Sequence, residues 1–510
     1  ENEDLQIWEI TDPTNVKKVN GALAGSIYTF KMNADSLRLF SSFKSNQTFT
    51  PIKSGAFLGK IENQNLHALA PFDYLIVSHE SLLTSAERLA NIHRERGLTV
   101  NVVPIQKIYN EFSSGVSDPV AIRWFAKMFY DRAAGDVSKM LDYICLFGDG
   151  TYDPLNRISK NNYLMPTYNK TDIIGEKKYI NFSSSYTADD FFALLDDEDR
   201  IDKSDLIDVA IGRIPVSTNE VANDVINKIE HYMKYGSTLF SNATGVQCDA
   251  SGYASTFGDW RNRVVLMADD EDDGKFVTDC EDVSNYTNLN HPEINITKLY
   301  LDAYKQITTS GGQRYPAVEE AIDQNIERGA LLFNYVGHGG ETGLTQERTV
   351  DIDMIRNWTN VNNLTVFVSA TCEFSRFDDP SKESAGEITL TSPYGGAVGM
   401  LTTTRLVSIS FNSTIVGNLY RVIFNEVNGE PLPIGEILRQ SKNLSAGGGN
   451  HIRNFSLLGD PAMKLGKPSA RIHTDSINGV SIDMPIDTLK ALSRVTISGH
   501  LTDYLDVPLN

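Results

Sequence analysis

The chain has 510 residues, 41% of them apolar, which is enough for several cores and suggests about three domains. Its net charge of −20 excludes a nucleic-acid groove, which needs a basic stripe, and no run of 18 or more apolar residues crosses a bilayer. The opening ENEDLQIWEI lacks the features of a signal peptide, so the chain reads as processed or excised from something longer.

Residues 1–70 lack helical periodicity and read as a small β-rich region, with SIYTFKM and GAFLGKI as short strands. From 71 the rhythm changes to that of an α/β domain extending to about 240. DYLIVS (73–78), LTVNVV (98–103), YICLFGDG (143–150) and DVAIGRIP (208–215) are predicted strands. Helices are expected over 81–96, closed by Gly97, then after the cap Asp118-Pro119, and over 219–235. A second α/β pattern covers 241–467. Its strands are RVVLMAD (263–269), ALLFNYV (330–336), LTVFVSA (364–370) and GAVGMLTTT (396–404), with helices over 316–328, 411–426 and 433–443. The unit closes with LLGDPAMKL (457–465). After Pro468 the β alternation of SRVTISGHL (493–501) reads as the start of a β-sandwich module. Strands alternating with helices imply mostly parallel sheets with helices on their faces.

Two residues stand at equivalent places. His338 follows ALLFNYV and Cys372 follows LTVFVSA. If the two strands are neighbours, imidazole and thiol meet outside their carboxyl ends, where open α/β sheets bind ligands. A lone histidine in a glycine turn is ordinarily a turn residue, and a lone cysteine after a strand a small buried hydrophobe. Together they form a nucleophile and its base: a free thiol is mostly protonated at neutral pH and needs an imidazole to take its proton. The N–H groups of Gly339 and Cys372 would supply an oxyanion hole.

The other cysteines give no disulfide framework and no CxxC zinc site. Cys145 reads as a buried strand residue; whether Cys248 and Cys280 pair is open. In the acidic run 269–274, Asp269, Glu271, Asp273 and Gly274 imitate positions 1, 3, 5 and 6 of a calcium loop. Position 12 is Cys280, so an EF-hand is rejected, while another calcium site stays open. DDEDR (196–200) reads as a surface turn.

The stretches GALLFNYVGHGGETG (329–343), FVSATCEFSRFD (367–378) and NFSLLGDPAMKL (454–465) resemble the gingipain family of cysteine peptidases. IWEITDPTNVKKV (7–19), NQNLHAL (63–69), IYNEFSSGVSDPVAIRWF (108–125), LFGDGTYD (146–153) and DTLKALSRVTISGHL (487–501) are similar to the branch that serves as sortase of the type IX secretion system. The resemblance implies a caspase-like catalytic fold of two α/β subdomains followed by an immunoglobulin-like domain. It implies Cys372 as nucleophile, His338 as base and acid, and a carboxylate orienting the histidine, for which Glu271 aligns best and Asp270 next. An acidic substrate-pocket residue would fall at Asp279 or Asp282. No cofactor is required; calcium as a structural ion stays open on the hard-oxygen character of the acidic run alone. The implied partners are secreted proteins with a C-terminal signal domain, a lipopolysaccharide amine acceptor, and outer-membrane components such as PorV and PorZ, at the cell surface of Bacteroidota. A general surface endopeptidase and a non-catalytic scaffold on a peptidase fold are the alternatives.

Overall fold

The computed structural model describes residues 4–12, 14–33, 35–46, 61–158, 161, 163–170, 172–174, 177–179, 186–234, 239–240, 258–468, 470–485 and 488–509. Cys248 and most of the GAFLGKI segment lie outside them. The chain forms two compact units, Glu1–Gln64 and Asn65–Asn510. In the first, Leu5–Glu9 pairs antiparallel with Lys17–Lys18 on one side and Phe40–Lys44 on the other, and Ala22–Ala24 pairs with Ile27–Thr29.

The second unit is organised by one ten-stranded sheet. Its strands are β1 (Tyr74–Ser78), β2 (Val100–Pro104), β3 (Tyr143–Phe147), β4 (Ala210–Ile214), β5 (Arg263–Ala268), β6 (Asn295–Tyr300), β7 (Leu332–Val336), β8 (Thr365–Ala370), β9 (Ala397–Thr403) and β10 (Phe455–Leu458). The order across the sheet is β6-β5-β7-β8-β9-β10-β4-β3-β1-β2. Every pairing is parallel except β9 with β10. Most of these strands are buried along their whole length. That is why they read as apolar runs rather than alternating ones.

The helices obey local signals. Asp118 caps α2 (Pro119–Ala133) by accepting the Val120 N–H at 2.9 Å, with Pro119 at N1 where no N–H is missed. Thr218 caps α3 (Asn219–Met233), and Pro316 opens α5 (Pro316–Arg328). Between these two, α4 (Lys275–Asn290) follows β5; α6 (Ile409–Val422) and α7 (Ile434–Leu444) follow β9. α1 (Leu83–Arg94) starts two residues later than the sequence suggests, because Glu80–Leu82 is a 3₁₀ turn.

The two α/β halves expected from sequence share this single sheet. β10, from the second half, inserts beside β4 of the first, with Arg213 opposite Leu458. Backbones crowd there: a Cβ on Gly212 would sit 2.7 Å from the Gly459 carbonyl oxygen. Buried ion pairs join the halves nearby. Lys442 and Arg453 both bind Asp190, at 2.6 and 3.1 Å. Within the first half, the Arg213 guanidinium grips Asp189 through two bonds of 2.7 and 2.9 Å. Residues 471–502 carry a three-stranded antiparallel sheet, with Arg471–Ile477 between Val480–Ser481 and Ile497–Thr502.

Candidate active site

β5, β7 and β8 are adjacent and in register: Ala268 lies opposite Val336, and Val336 opposite Ala370. The residues that follow therefore emerge side by side at one sheet edge. His338 is two residues beyond Val336 and Cys372 two beyond Ala370. Neighbouring strands are about 4.8 Å apart, so the two loops start within reach of each other. They touch: a Cβ on Gly339 would lie 2.6 Å from Thr371 Oγ1. They are also tied by charge. Arg376 donates to Glu341 Oε1 at 2.5 Å, Lys382 pairs with the same carboxylate, and the Glu341 carbonyl accepts the Ala385 N–H at 2.7 Å.

The His338 loop is held from below by Asp269, the first residue after β5. Its Oδ2 accepts the His338 backbone N–H at 2.9 Å and the Tyr335 hydroxyl at 3.1 Å. The Tyr335 hydroxyl also reaches the His338 carbonyl, at 2.5 Å. Burial pushes the Asp269 carboxyl up to about 6, against the hydrogen bonds it accepts.

The imidazole donates from Nε2 to Asp272 Oδ2 at 2.7 Å, and the Phe276 ring stands edge-on to it, centroids 5.4 Å apart. Among the described residues Nδ1 makes no hydrogen bond, so that nitrogen is free to face a thiol. The carboxylate partner is thus Asp272, not Glu271 or Asp270. The reason is backbone conformation. Asp272, Asp273 and Gly274 have φ of 58°, 53° and 73°, a left-handed turn that aspartate and glycine tolerate better than most residues. It swings Asp272 back over the imidazole. Asp270 instead accepts the Tyr315 hydroxyl at 2.7 Å.

Cys372 is half-buried, and its thiol donates to the Val407 carbonyl at 3.7 Å. Burial raises its pKa above the ordinary thiol value, and the neighbouring Glu373 carboxylate adds to this. The resting cysteine is therefore a protonated thiol at neutral pH. Its own N–H has no backbone acceptor among the described residues, as an oxyanion donor requires. Gly339 pairs with Leu344 in a short ribbon in which the His338 carbonyl accepts the Thr345 N–H at 2.9 Å.

The two carboxylates expected at a substrate pocket differ. Asp279 is buried in α4 and already neutralised by Lys275 and the Ser413 hydroxyl, while Asp282 is exposed. Cys145 and Cys280 are buried free thiols. Among the described residues two acidic groups have spacings that suit ion ligands: Asp196, Asp199 and Asp208, and Asp269, Asp270 and Glu347. The first lies in the acidic turn at 196–200 and the loop before β4. Sequence reasoning missed Asp272, Tyr335 and the Glu341–Arg376 tie. Tyr335 left a trace, as a hydroxyl-bearing residue in an otherwise apolar strand; a left-handed turn among six consecutive acidic and glycine residues left none.

No helix among the described residues is long and apolar enough to cross a membrane. A family model described as Peptidase family C25 matches residues 67–466. An uncharacterised protein of Archaeoglobus fulgidus is 22% identical over 277 residues, 52% of this chain and 56% of that protein. The chain thus spans little more than half the length of this relative. Among solved structures, the Arg-specific cysteine proteinase gingipain R (RgpB) aligns with a TM-score of 0.55 at 15% identity, over 81% of this chain and 83% of that one. The dimeric latent PorU of Porphyromonas gingivalis aligns with a TM-score of 0.51 at 21% identity, over 99% of this chain and 40% of that one. With a gingipain-like α/β fold and a family match that spans the whole ten-stranded sheet, the chain belongs to peptidase family C25.

Proposed function

We propose that the chain is a cysteine endopeptidase acting as a sortase, with Cys372 as nucleophile, His338 as base and acid, and Asp272 as the carboxylate that orients the imidazole. The register-matched exit of His338 and Cys372 from neighbouring parallel strands carries this reading. His338 takes the thiol proton and the thiolate attacks the scissile carbonyl. The Gly339 and Cys372 N–H groups hold the oxyanion. The C–N bond breaks as the imidazolium protonates the leaving amine, and a thioester remains on Cys372. Water then releases a carboxylate, or an amine forms a new amide.

The likeness to PorU, together with the sequence segments similar to type IX sortases, supports a substrate carrying a C-terminal signal domain. Lipopolysaccharide would be the amine donor, with PorV and PorZ as partners at the outer membrane, and residues from 468 would begin an immunoglobulin-like module. The neutralised Asp279 favours this over an arginine-selective gingipain, since a basic side chain would find no free carboxylate there. The test is a signal-bearing substrate with and without a competing amine, followed by mass spectrometry. Cleavage with amide formation, lost in Cys372→Ala, is the expected result. Cleavage of many unrelated proteins with no amide product would establish a general endopeptidase instead.

A further inference from the structure

Three carboxylates meet behind the His338 loop. Asp269, Asp270 and Glu347 each bring an oxygen within 4.8 Å of the other two. Asp269 and Glu347 are 0% and 2% exposed. Many of their lone pairs have donors. Asp269 Oδ2 takes the His338 N–H and the Tyr335 hydroxyl, its Oδ1 the Asp270 N–H at 3.1 Å, Asp270 Oδ2 the Tyr315 hydroxyl, and Glu347 Oε1 the Gln306 amide at 3.0 Å. Two oxygens are left over. Asp270 Oδ1 and Glu347 Oε2 are buried and accept from nothing among the described residues. Among the described residues no basic side chain forms an ion pair with any of the three. A buried carboxylate oxygen without a donor is costly, and three adjacent carboxylates repel one another. Burial and the neighbouring charges accordingly push Asp269 and Glu347 upward.

We propose that Asp269, Asp270 and Glu347 together bind one divalent cation, and the donor chemistry points to calcium. All three ligands are hard oxygens, which zinc sites rarely use alone. Calcium accepts irregular oxygen cages, whereas magnesium demands a near-ideal octahedron and keeps several waters, so a set of buried protein carboxylates suits the larger ion. The two unpartnered oxygens become ligands, and the ion removes the repulsion. The site also has a consequence for the peptidase reading, although it does not depend on it. Asp269 holds the His338 N–H, so a bound ion fixes the histidine loop without touching substrate.

The experiment uses the full chain as Cys372→Ala, so that binding is read without peptidase activity and failure of the peptidase reading leaves it intact. Terbium serves as the probe, because the Tyr315 and Tyr335 hydroxyls lie on the ligands and can sensitise its emission. Saturable tyrosine-excited emission, displaced by calcium, is expected, with a calcium-dependent rise in Tm. Glu347→Gln should weaken binding roughly tenfold or more, through loss of one of three charged ligands. Asp196→Asn, in the other acidic group, should leave it unchanged. Tyr315→Phe keeps every ligand and should lose emission intensity, which locates the ion even if Glu347→Gln misfolds. No saturable emission in the parent chain, undiminished binding in Glu347→Gln, or undiminished emission in Tyr315→Phe would overturn the proposal.

Discussion

Among the described residues the His338 imidazole has one carboxylate partner, and the neighbouring acidic residues test whether that contact matters. Asp272 accepts from Nε2, so it fixes which nitrogen carries the proton and leaves Nδ1 to the thiol. Asp272→Asn keeps the shape but can present the wrong hydrogen-bond partner. It should lower kcat at least roughly a hundredfold, as loss of an orienting carboxylate does in catalytic triads. Glu271→Gln, one residue away, should stay near the parent rate; equal losses in the two variants would refute the assignment. The thiol offers a second check. Because Cys372 rests as a thiol raised by burial and bonded to the Val407 carbonyl, its alkylation should speed up about tenfold per pH unit between neutral pH and its pKa. Cys145 and Cys280, fully buried, should stay unlabelled in the native chain. A flat profile for Cys372, followed site by site by mass spectrometry, would mean that a thiolate–imidazolium pair already exists at rest.

At the scale of elements, β10 is the piece on which the architecture turns. It is the strand that runs antiparallel to β9 while lying parallel to β4, and so fuses two α/β halves into one sheet. The fit depends on glycine. Gly212→Ala places a methyl 2.7 Å from the Gly459 carbonyl and 3.0 Å from Leu457, and should cost about 1–3 kcal/mol as overpacking. Gly417→Ala, in α6 with nothing within 4 Å, should instead gain about 0.5–1 kcal/mol. Urea melts of the two variants, shifted in opposite directions, check both. The strands themselves were legible because DYLIVS, YICLFGDG, ALLFNYV and LTVFVSA are buried on both faces. Their helices were legible from Asp118-Pro119, Pro316 and Gly329. The joining of the halves was not, because LLGDPAMKL says nothing about which strand it pairs with. Asp272 was hidden for a related reason: six acidic and glycine residues in a row have no periodicity, and the choice among them is made by a left-handed turn.

At the scale of the whole molecule, a chain of net charge −20 keeps several carboxyls where burial opposes ionisation. Asp149, at the carboxyl end of β3, is the clearest. It accepts the Gly150 N–H at 2.9 Å and the Ser217 hydroxyl at 3.1 Å, yet burial pushes it up to about 6. Burial raises Glu387 as well, with the Asp149 charge adding to it, although its carboxylate receives both the N–H and hydroxyl of Ser384. The sign follows from linkage. Between the unfolded value near 3.8 and about 6 the folded chain binds more protons than the unfolded one, so this contribution to stability is complete at the acid end and is lost as pH rises through about 6. Asp149→Asn carries no charge to lose. Relative to the parent it should therefore gain stability as pH rises from 4 to 7, by at most about 3 kcal/mol for a shift of roughly two units. Chemical denaturation of both chains at pH 4, 5, 6 and 7 gives the difference directly. A gap that stays constant across the series would show that Asp149 ionises as freely in the fold as in the unfolded chain.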